Sequence, residues 1–211
     1  NMANQKIKLN FINKSKDTNN SSVVVFQKNV AESFDEIAVA WQIIENCGRL
    51  DNHPFTFSLD FKVSREDSYG NFTPAKVAYN GQSYEMVKDP SGNVLKLSDK
   101  PATNPNEVEI RNSMETGAVD GNIIRDGKVI ASKTTIAPGQ KAVFQFQPTI
   151  WIGAVSQIDE GDVMKSAIIQ TVNRELPLYG ISSADIVMTG GGPDKSSTPF
   201  VFNLENINKA Q

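Results

Sequence analysis

The chain has 211 residues, of which 39% are hydrophobic and 21% are charged, with a formal net charge of −3. This composition is that of a folded globular protein, and its lysines and arginines form no basic block, so nucleic acid is not expected as a partner. One cysteine excludes an internal disulfide, and no apolar run reaches the roughly 20 residues that a transmembrane helix needs.

The N-terminal residues predict location and the first strands. NMANQKIKLNF lacks the apolar core of a signal peptide, so we expect a cytoplasmic protein, with non-classical release as the alternative. Lys6–Asn13 alternates between apolar and polar residues, which predicts a strand with one buried face. Two further segments, 22–27 (SVVVFQ) and 38–44 (AVAWQII), are continuously apolar and predict strands that are buried on both faces.

The clearest alternation runs from residue 54 to residue 64. Its odd-numbered positions place large apolar side chains on one face, namely Phe55, Phe57, Leu59, Phe61 and Val63. The even-numbered positions from Thr56 to Ser64 are polar. A period of two over ten residues predicts one half-buried strand.

Turn residues punctuate the rest of the chain. The best hairpin is NIIRDGKVIA, where two apolar strands flank Asp126-Gly127, a pair that favours a type I′ turn. Short strands at spacings of about 8–12 residues predict a sandwich or barrel. The segment 162–176 carries apolar residues every four positions, as a helix would, but it is rich in β-branched residues and its neighbours are strands. We interpret it as strand, with a short helix as the alternative.

The predicted fold is therefore an all-β antiparallel sandwich with at most one short helix. A weak echo between NGQSYEMV at 80–87 and PGQKAVFQF at 138–146 raises the hypothesis of two related Greek-key halves. We expect a single domain over 1–211. The alternative is a first half at 1–97 and a second half at 108–211, joined by the Pro- and Asn-rich linker 98–107.

The stretch MTGGGPDKSSTPF at 188–200 invites comparison with a phosphate-binding loop. Lys195-Ser196 matches the end of the GxxxxGK[ST] pattern, but Asp194 and Thr189 stand where that pattern needs glycine. The apolar strand that follows also leaves no helix N-terminus for a phosphate. We interpret the stretch as a wide hairpin turn and expect no nucleotide or other cofactor.

Residues for catalysis or metal binding are sparse. His53 is the sole histidine and follows Cys47 by six residues, but the sequence offers nothing to orient a thiol–imidazole pair. The acidic stretches QIDEGD at 157–162 and REDSYGN at 65–71 do not match an EF-hand loop. We therefore predict no catalytic residue, no metal site and no enzyme activity.

One turn has the ingredients of a ligand site. Asp67, Tyr69 and Asn71 combine an aromatic face with hydrogen-bonding neighbours, as carbohydrate sites do. These three residues are our candidate ligand-binding residues, and carbohydrate or another surface ligand is the candidate partner.

The leading functional hypothesis is a non-enzymatic binding or self-assembling protein. Strands that are apolar on both faces need a cover beyond a two-layer sandwich, which predicts self-association or a third layer. A membrane-active, pore-forming type of β protein is the first alternative, with 162–176 as its candidate membrane segment. A hydrolase that uses a pair of carboxylates in a cleft is the second alternative.

Overall fold

The computed structural model describes residues 5–31, 39–67, 73–90, 92–155, 158–164 and 174–211. Within these ranges the chain forms sixteen strands, and the one helical element is a 3-10 turn at Asp194–Ser196. The strands form four sheets of four strands each, and all but two strand pairs are antiparallel. The predicted all-β, mainly antiparallel fold is confirmed.

The first sheet joins strands from both ends of the described chain. In spatial order its strands are β16 (Thr198–Lys209), β15 (Ile181–Gly191), β1 (Lys6–Asn13) and β4 (Asn52–Ser58). The apolar positions of β1 that alternate in the sequence, Ile7, Leu9 and Phe11, are all buried. This sheet therefore turns one apolar face toward a second layer.

The second sheet supplies that layer. In spatial order its strands are β14 (Arg174–Pro177), β13 (Thr149–Val155), β2 (Ser22–Phe26) and β3 (Gln42–Ile44). Trp41, next to β3, packs edge-to-face on Phe55 and Phe57 of β4, with ring centroids 6.1 and 5.6 Å away. We call these two sheets the terminal sandwich.

The other face of the second sheet is covered by the same chain. Val24, Phe26 and Ala40 form a buried cluster with Ile158 and Met164. The connection after β13 thus provides the extra cover that the doubly apolar strands require. Those strands consequently give no reason to invoke a partner subunit, and self-association stays a prediction.

The middle of the chain forms the third and fourth sheets. The third sheet has the order β11 (Lys128–Ile136), β10 (Val119–Arg125), β5 (Phe61–Asp67) and β6 (Lys76–Ala78). The fourth sheet has the order β12 (Lys141–Phe144), β9 (Val108–Asn112), β7 (Ser83–Asp89) and β8 (Gly92–Leu97).

The third and fourth sheets pack together as the central sandwich. Gly121 on β10 lies so close to β9 that an added Cβ would be 3.1 Å from the Cδ1 atom of Ile110. The side-chain amide of Asn112 donates a hydrogen bond across the layers to the Ile136 carbonyl at 2.9 Å. The absence of a side chain at position 121 therefore leaves room for the side chains of Ile110 and Ile136 between the two sheets.

Strand pairing divides the described chain at two places. The strands before residue 59 and after residue 148 pair only with one another, and so do the strands between 61 and 144. The segment 98–107 joins β8 and β9 of one sheet, and the two Gly-Gln echoes precede β7 and β12 of that same sheet. One hydrophobic cluster runs through both sandwiches, and the number of domains stays a prediction.

Two predicted elements differ from the structure or fall outside it. The single strand predicted at 54–64 is two strands, β4 and β5, because the chain passes at Leu59 and Asp60 from the terminal to the central sandwich. Of the segment 162–176, residues 165–173 lie outside the described residues, and Arg174–Pro177 is a strand.

Candidate functional site

The two sandwiches meet where the chain crosses between them. The outward crossing consists of Leu59 and Asp60, and the return crossing consists of residues 145–148 between β12 and β13. The crossings lie side by side, since the rings of Phe61 and Phe146 pack edge-to-face with centroids 6.0 Å apart. Side chains from both sandwiches converge at this junction.

Arg125 is the central residue of the junction. It ends β10, immediately before the Asp126-Gly127 turn, where both residues have the positive φ angles (52° and 77°) that a type I′ turn requires. Its Nη1 donates to the carbonyl of Ser58, and its Nη2 donates to Gln27 Oε1 at 2.9 Å. A side chain of the central sandwich is thereby hydrogen-bonded to the last residue of β4 and to the residue that follows β2, both in the terminal sandwich.

Further hydrogen bonds fix the same hairpin. The indole Nε1 of Trp41 donates to the carbonyl of Arg125 at 2.9 Å. The Asp126 carboxylate accepts the backbone N–H of Ser58 at 2.9 Å and also the Ser58 hydroxyl proton. The predicted Asp-Gly hairpin is confirmed, and it docks the central sandwich on the terminal one.

The guanidinium of Arg125 is a buried cation. Its residue is 3% exposed, and its Cζ lies 4.4 Å from the ring centre of Phe57 and 5.6 Å from that of Phe61. Burial lowers the pKa of Arg125 to about 10, while the charges of Asp126 and Asp60 act in the opposite direction. Within the described part of the chain, Nε finds no hydrogen-bond acceptor and no carboxylate forms an ion pair with Arg125.

Glu109 is a second buried charge, and unlike Arg125 it is paired with charged side chains. The Glu109 side chain has no exposed surface, and its oxygens accept from Arg111 at 2.9 Å and from Lys141 at 2.8 Å. The backbone N–H of Thr103 is a third donor, at 2.9 Å. Burial alone raises the pKa of Glu109, but the hydrogen bonds from Lys141, Thr103 and Arg111 outweigh burial and hold it at about 2.

Three adjoining cavities open at the junction. The smallest, of about 170 Å³, is lined by Arg125 together with phenylalanine rings from both sandwiches. The second, of about 270 Å³, shares Phe61 with the first. The third, of about 460 Å³, shares Leu59 with the first and Lys6 with the second. We call these three cavities together the junction groove.

The walls of the junction groove combine apolar and polar groups. Leu59 is 38% exposed and Tyr179 is 59% exposed, so both offer apolar surface to a ligand. Asn80 and Gln147 are polar residues that line the cavity beside Arg125. Such mixtures of apolar walls and a few polar groups are typical of ligand pockets, which favour the interfaces between packed units.

Of the three ligand-binding residues predicted from sequence, the structure describes only Asp67. Asp67 ends β5, six residues from the groove residue Phe61, which corresponds to roughly 20 Å along a strand. Tyr69 and Asn71 lie outside the described residues. The ligand site at Asp67, Tyr69 and Asn71 stays a prediction.

The sole cysteine and histidine take part in separate contacts. The carbonyl of Cys47 accepts a hydrogen bond from Asn13, while His53 pairs with Phe11 in the first sheet. Burial raises the pKa of the Cys47 thiol, and the charge of Asp51 raises it further. A raised pKa disfavours the thiolate, which is the nucleophilic form of cysteine.

The glycines of MTGGGPDKSSTPF serve packing. Gly190 and Gly191 belong to β15, so the turn is narrower than the sequence indicates. Gly190 has φ of 90°, and a Cβ there would lie 2.1 Å from the carbonyl oxygen of Pro199. Its own carbonyl accepts the backbone N–H of Lys16 at 2.7 Å. Glycine is required because β16 and the segment after β1 approach this backbone closely.

The acidic stretch at 157–162 forms a turn in its described part. The Asp162 carboxylate accepts the backbone N–H of Asp159 at 3.0 Å, and Glu160 pairs with Lys128 at 2.8 Å. Among the residues that the structure describes, no group of three or more His, Cys, Asp or Glu side chains could hold a metal ion. In the same ranges, no helix has the length and apolar character needed to cross a bilayer.

Sequence reasoning missed Arg125 and the junction groove. An arginine before an Asp-Gly turn resembles any exposed hairpin residue, and the crossing at Leu59 is hidden because the alternation continues through it. No protein-family model, curated protein or solved structure matches this chain. Function is therefore inferred from the groove itself.

Proposed function

We propose that this chain is a non-enzymatic binding protein and that its ligand occupies the junction groove. The observation that carries the proposal is the set of three adjoining cavities, two of which are lined by both sandwiches, and one of these two by the buried cation of Arg125. Ligand pockets form preferentially at such interfaces, where apolar walls supply affinity and a few fixed polar groups supply specificity.

The rigidity of the groove supports this function. Arg125 and Asp126 hold the wall that the central sandwich provides, and both are hydrogen-bonded to Ser58 of the opposite wall. A groove whose walls are fixed before the ligand arrives loses little conformational entropy on binding. Leu59, on the crossing between the walls, is 38% exposed and so accessible to a ligand.

A fragment screen followed by nuclear magnetic resonance tests the proposal. The ¹⁵N-labelled chain is titrated with a chemically mixed fragment library, and the amide shift changes are mapped on the structure. We expect binders whose shift changes cluster at Leu59, Phe61 and Gln147. The variant Leu59→Trp, which fills the groove, should lose these binders.

The matched control is Leu97→Trp. Leu97 is 50% exposed on β8 and lines none of the three cavities, so binding should persist in this variant. Failure of the whole library to bind, or binding that Leu59→Trp leaves intact, would contradict the proposal.

A carboxylate-dependent hydrolase is the second candidate, because Asp60 and Asp126 line the same cavity of about 270 Å³. It ranks below a binding role because both oxygens of Asp126 accept hydrogen bonds from Ser58, which commits this carboxylate to the hairpin. Chromogenic glycoside and ester substrates test it. Turnover that Asp60→Asn abolishes would favour the hydrolase, and no turnover by the wild-type chain would exclude it for those substrates.

Three further hypotheses from the sequence are tested by separate experiments. A carbohydrate site at Asp67, Tyr69 and Asn71 is testable on a glycan array, with Tyr69→Ala as the variant that should lose binding. Self-association is testable by light scattering on the full chain. A membrane-active role predicts dye release from liposomes, and intact liposomes at micromolar protein would contradict it.

A further inference from the structure

We propose that the ligand of the junction groove carries an acidic group on a small apolar body, and that the acidic group binds at the cavity lined by Arg125. This inference rests on the proposed function and specifies the chemistry of its ligand. Such a ligand is a small organic acid whose hydrocarbon part is about the size of one aromatic ring.

The first argument is the incomplete pairing of Arg125. Buried N–H groups nearly always have an acceptor, and buried charges are normally paired with an opposite charge. Nη1 of the guanidinium donates a hydrogen bond to the Ser58 carbonyl, and Nη2 donates one to the side chain of Gln27. Both acceptors are neutral. In the described ranges, Nε has no acceptor, and no carboxylate forms an ion pair with Arg125, whose charge Asp126 and Asp60 stabilise from outside ion-pair distance. An acid in the cavity lined by Arg125 supplies an ion-pair partner for the guanidinium.

The second argument is the shape and lining of the cavity. Its volume of about 170 Å³ is close to that of cavities of about 150 Å³ that accept benzene. Phe57, Phe61 and Phe146 line it and give it an aromatic wall. Asn80 and Gln147 also line it, and both residues carry a side-chain amide, a group that donates hydrogen bonds to acids.

The third argument is the balance of the neighbouring charges. The residues that line the adjoining cavity of about 270 Å³ include two aspartates, Asp60 and Asp126, and two lysines, Lys6 and Lys62. Two positive and two negative charges cancel formally, so Arg125 leaves the two cavities with one net positive charge. Electrostatic complementarity then favours a ligand with one negative charge.

Benzoate, benzamide and benzamidine provide the test, because they share shape and size and carry charges of −1, 0 and +1. Each is titrated into the wild-type chain, and affinity is measured from amide shift changes in the groove. We expect benzoate to bind about tenfold or more tightly than benzamide, and benzamidine to bind most weakly. Since the ligand charge is varied and the protein is not, the result does not depend on whether an Arg125 variant folds.

The outcomes separate this inference from the proposed function. Benzamide binding as tightly as benzoate in the groove would overturn the acidic ligand and leave a groove that binds neutral molecules. Binding of none of the three probes at millimolar concentration would overturn the inference as well, whereas the proposed function fails only if the mixed library also finds no groove binder. Loss of benzoate in Leu59→Trp but not in Leu97→Trp would support both.

Discussion

Arg125 holds the two sandwiches together, and replacing it with methionine tests this role. Methionine keeps most of the apolar stem between Phe57 and Phe61 but removes the guanidinium. The Ser58 carbonyl and Gln27 Oε1 then lose their donors in a site that is 3% exposed at position 125. The change therefore isolates the hydrogen bonds from the packing.

The expected cost follows from the structure. Each hydrogen bond from a charged donor contributes about 1.5–3 kcal/mol, so the two bonds together contribute roughly 3–6 kcal/mol. Release of a desolvated cation offsets part of this loss. We expect Arg125→Met to lower the free energy of unfolding by about 3 kcal/mol, which corresponds to a drop in Tm of about 6–12 °C for a chain of this size.

Urea denaturation followed by tryptophan fluorescence measures this cost. Trp41 is fully buried and its indole donates to the carbonyl of residue 125, so its emission reports on the junction. Arg49→Met is the matched control, because Arg49 is an exposed surface residue. It should change stability by less than about 0.5 kcal/mol. Buried cations can sometimes be replaced by apolar residues without loss of stability. If Arg125→Met lowers the free energy of unfolding no more than Arg49→Met does, Arg125 is such a case and the reasoning is refuted.

Three further predictions concern other parts of the fold. The pKa of Glu109 is held at about 2 in the folded chain, below its ordinary value of 4.5. Its ionised form therefore contributes fully to the free energy of unfolding above about pH 4.5, and this contribution is lost as the pH falls toward 2. Glu109→Gln should flatten the acid limb of a plot of unfolding free energy against pH, and an unchanged acid limb would contradict this. Gly190→Ala should cost more than about 2 kcal/mol by denaturant titration, because its Cβ would overlap the Pro199 carbonyl, while Gly117→Ala, also at φ of 90° but in open space, should cost about 1 kcal/mol. Met164→Ala, at a fully buried position over the second sheet, should cost about 2–5 kcal/mol, and a cost below 1 kcal/mol would mean that this segment covers little.

Much of the fold is readable from local patterns. Alternation at β1 and the Asp126-Gly127 turn act over a few residues, so neighbouring positions carry the information. The break at Leu59 is different. Phe61 and Val63 continue the alternation of β4 because they enter the core of the next sandwich in the same phase, so the pattern looks like one strand.

The candidate groove depends on long-range contacts that leave no local sign. Arg125 lies 67 residues from Ser58 and 98 residues from Gln27 along the chain, and arginine is seldom buried. The need for a cover on the second sheet was predictable from the apolar strands, but its source was not. The cover consists of Ile158 and Met164, and two isolated apolar residues form no pattern by which the sequence could identify them.

Soaking crystals of the full chain in benzoate tests the central claim most directly, because it locates the ligand. We predict density for one benzoate in the cavity of about 170 Å³, with its carboxylate beside Arg125 and its ring among Phe57, Phe61 and Phe146. An empty junction groove at a benzoate concentration that saturates the shifts measured in solution would contradict it. So would a benzoate bound only at a different surface.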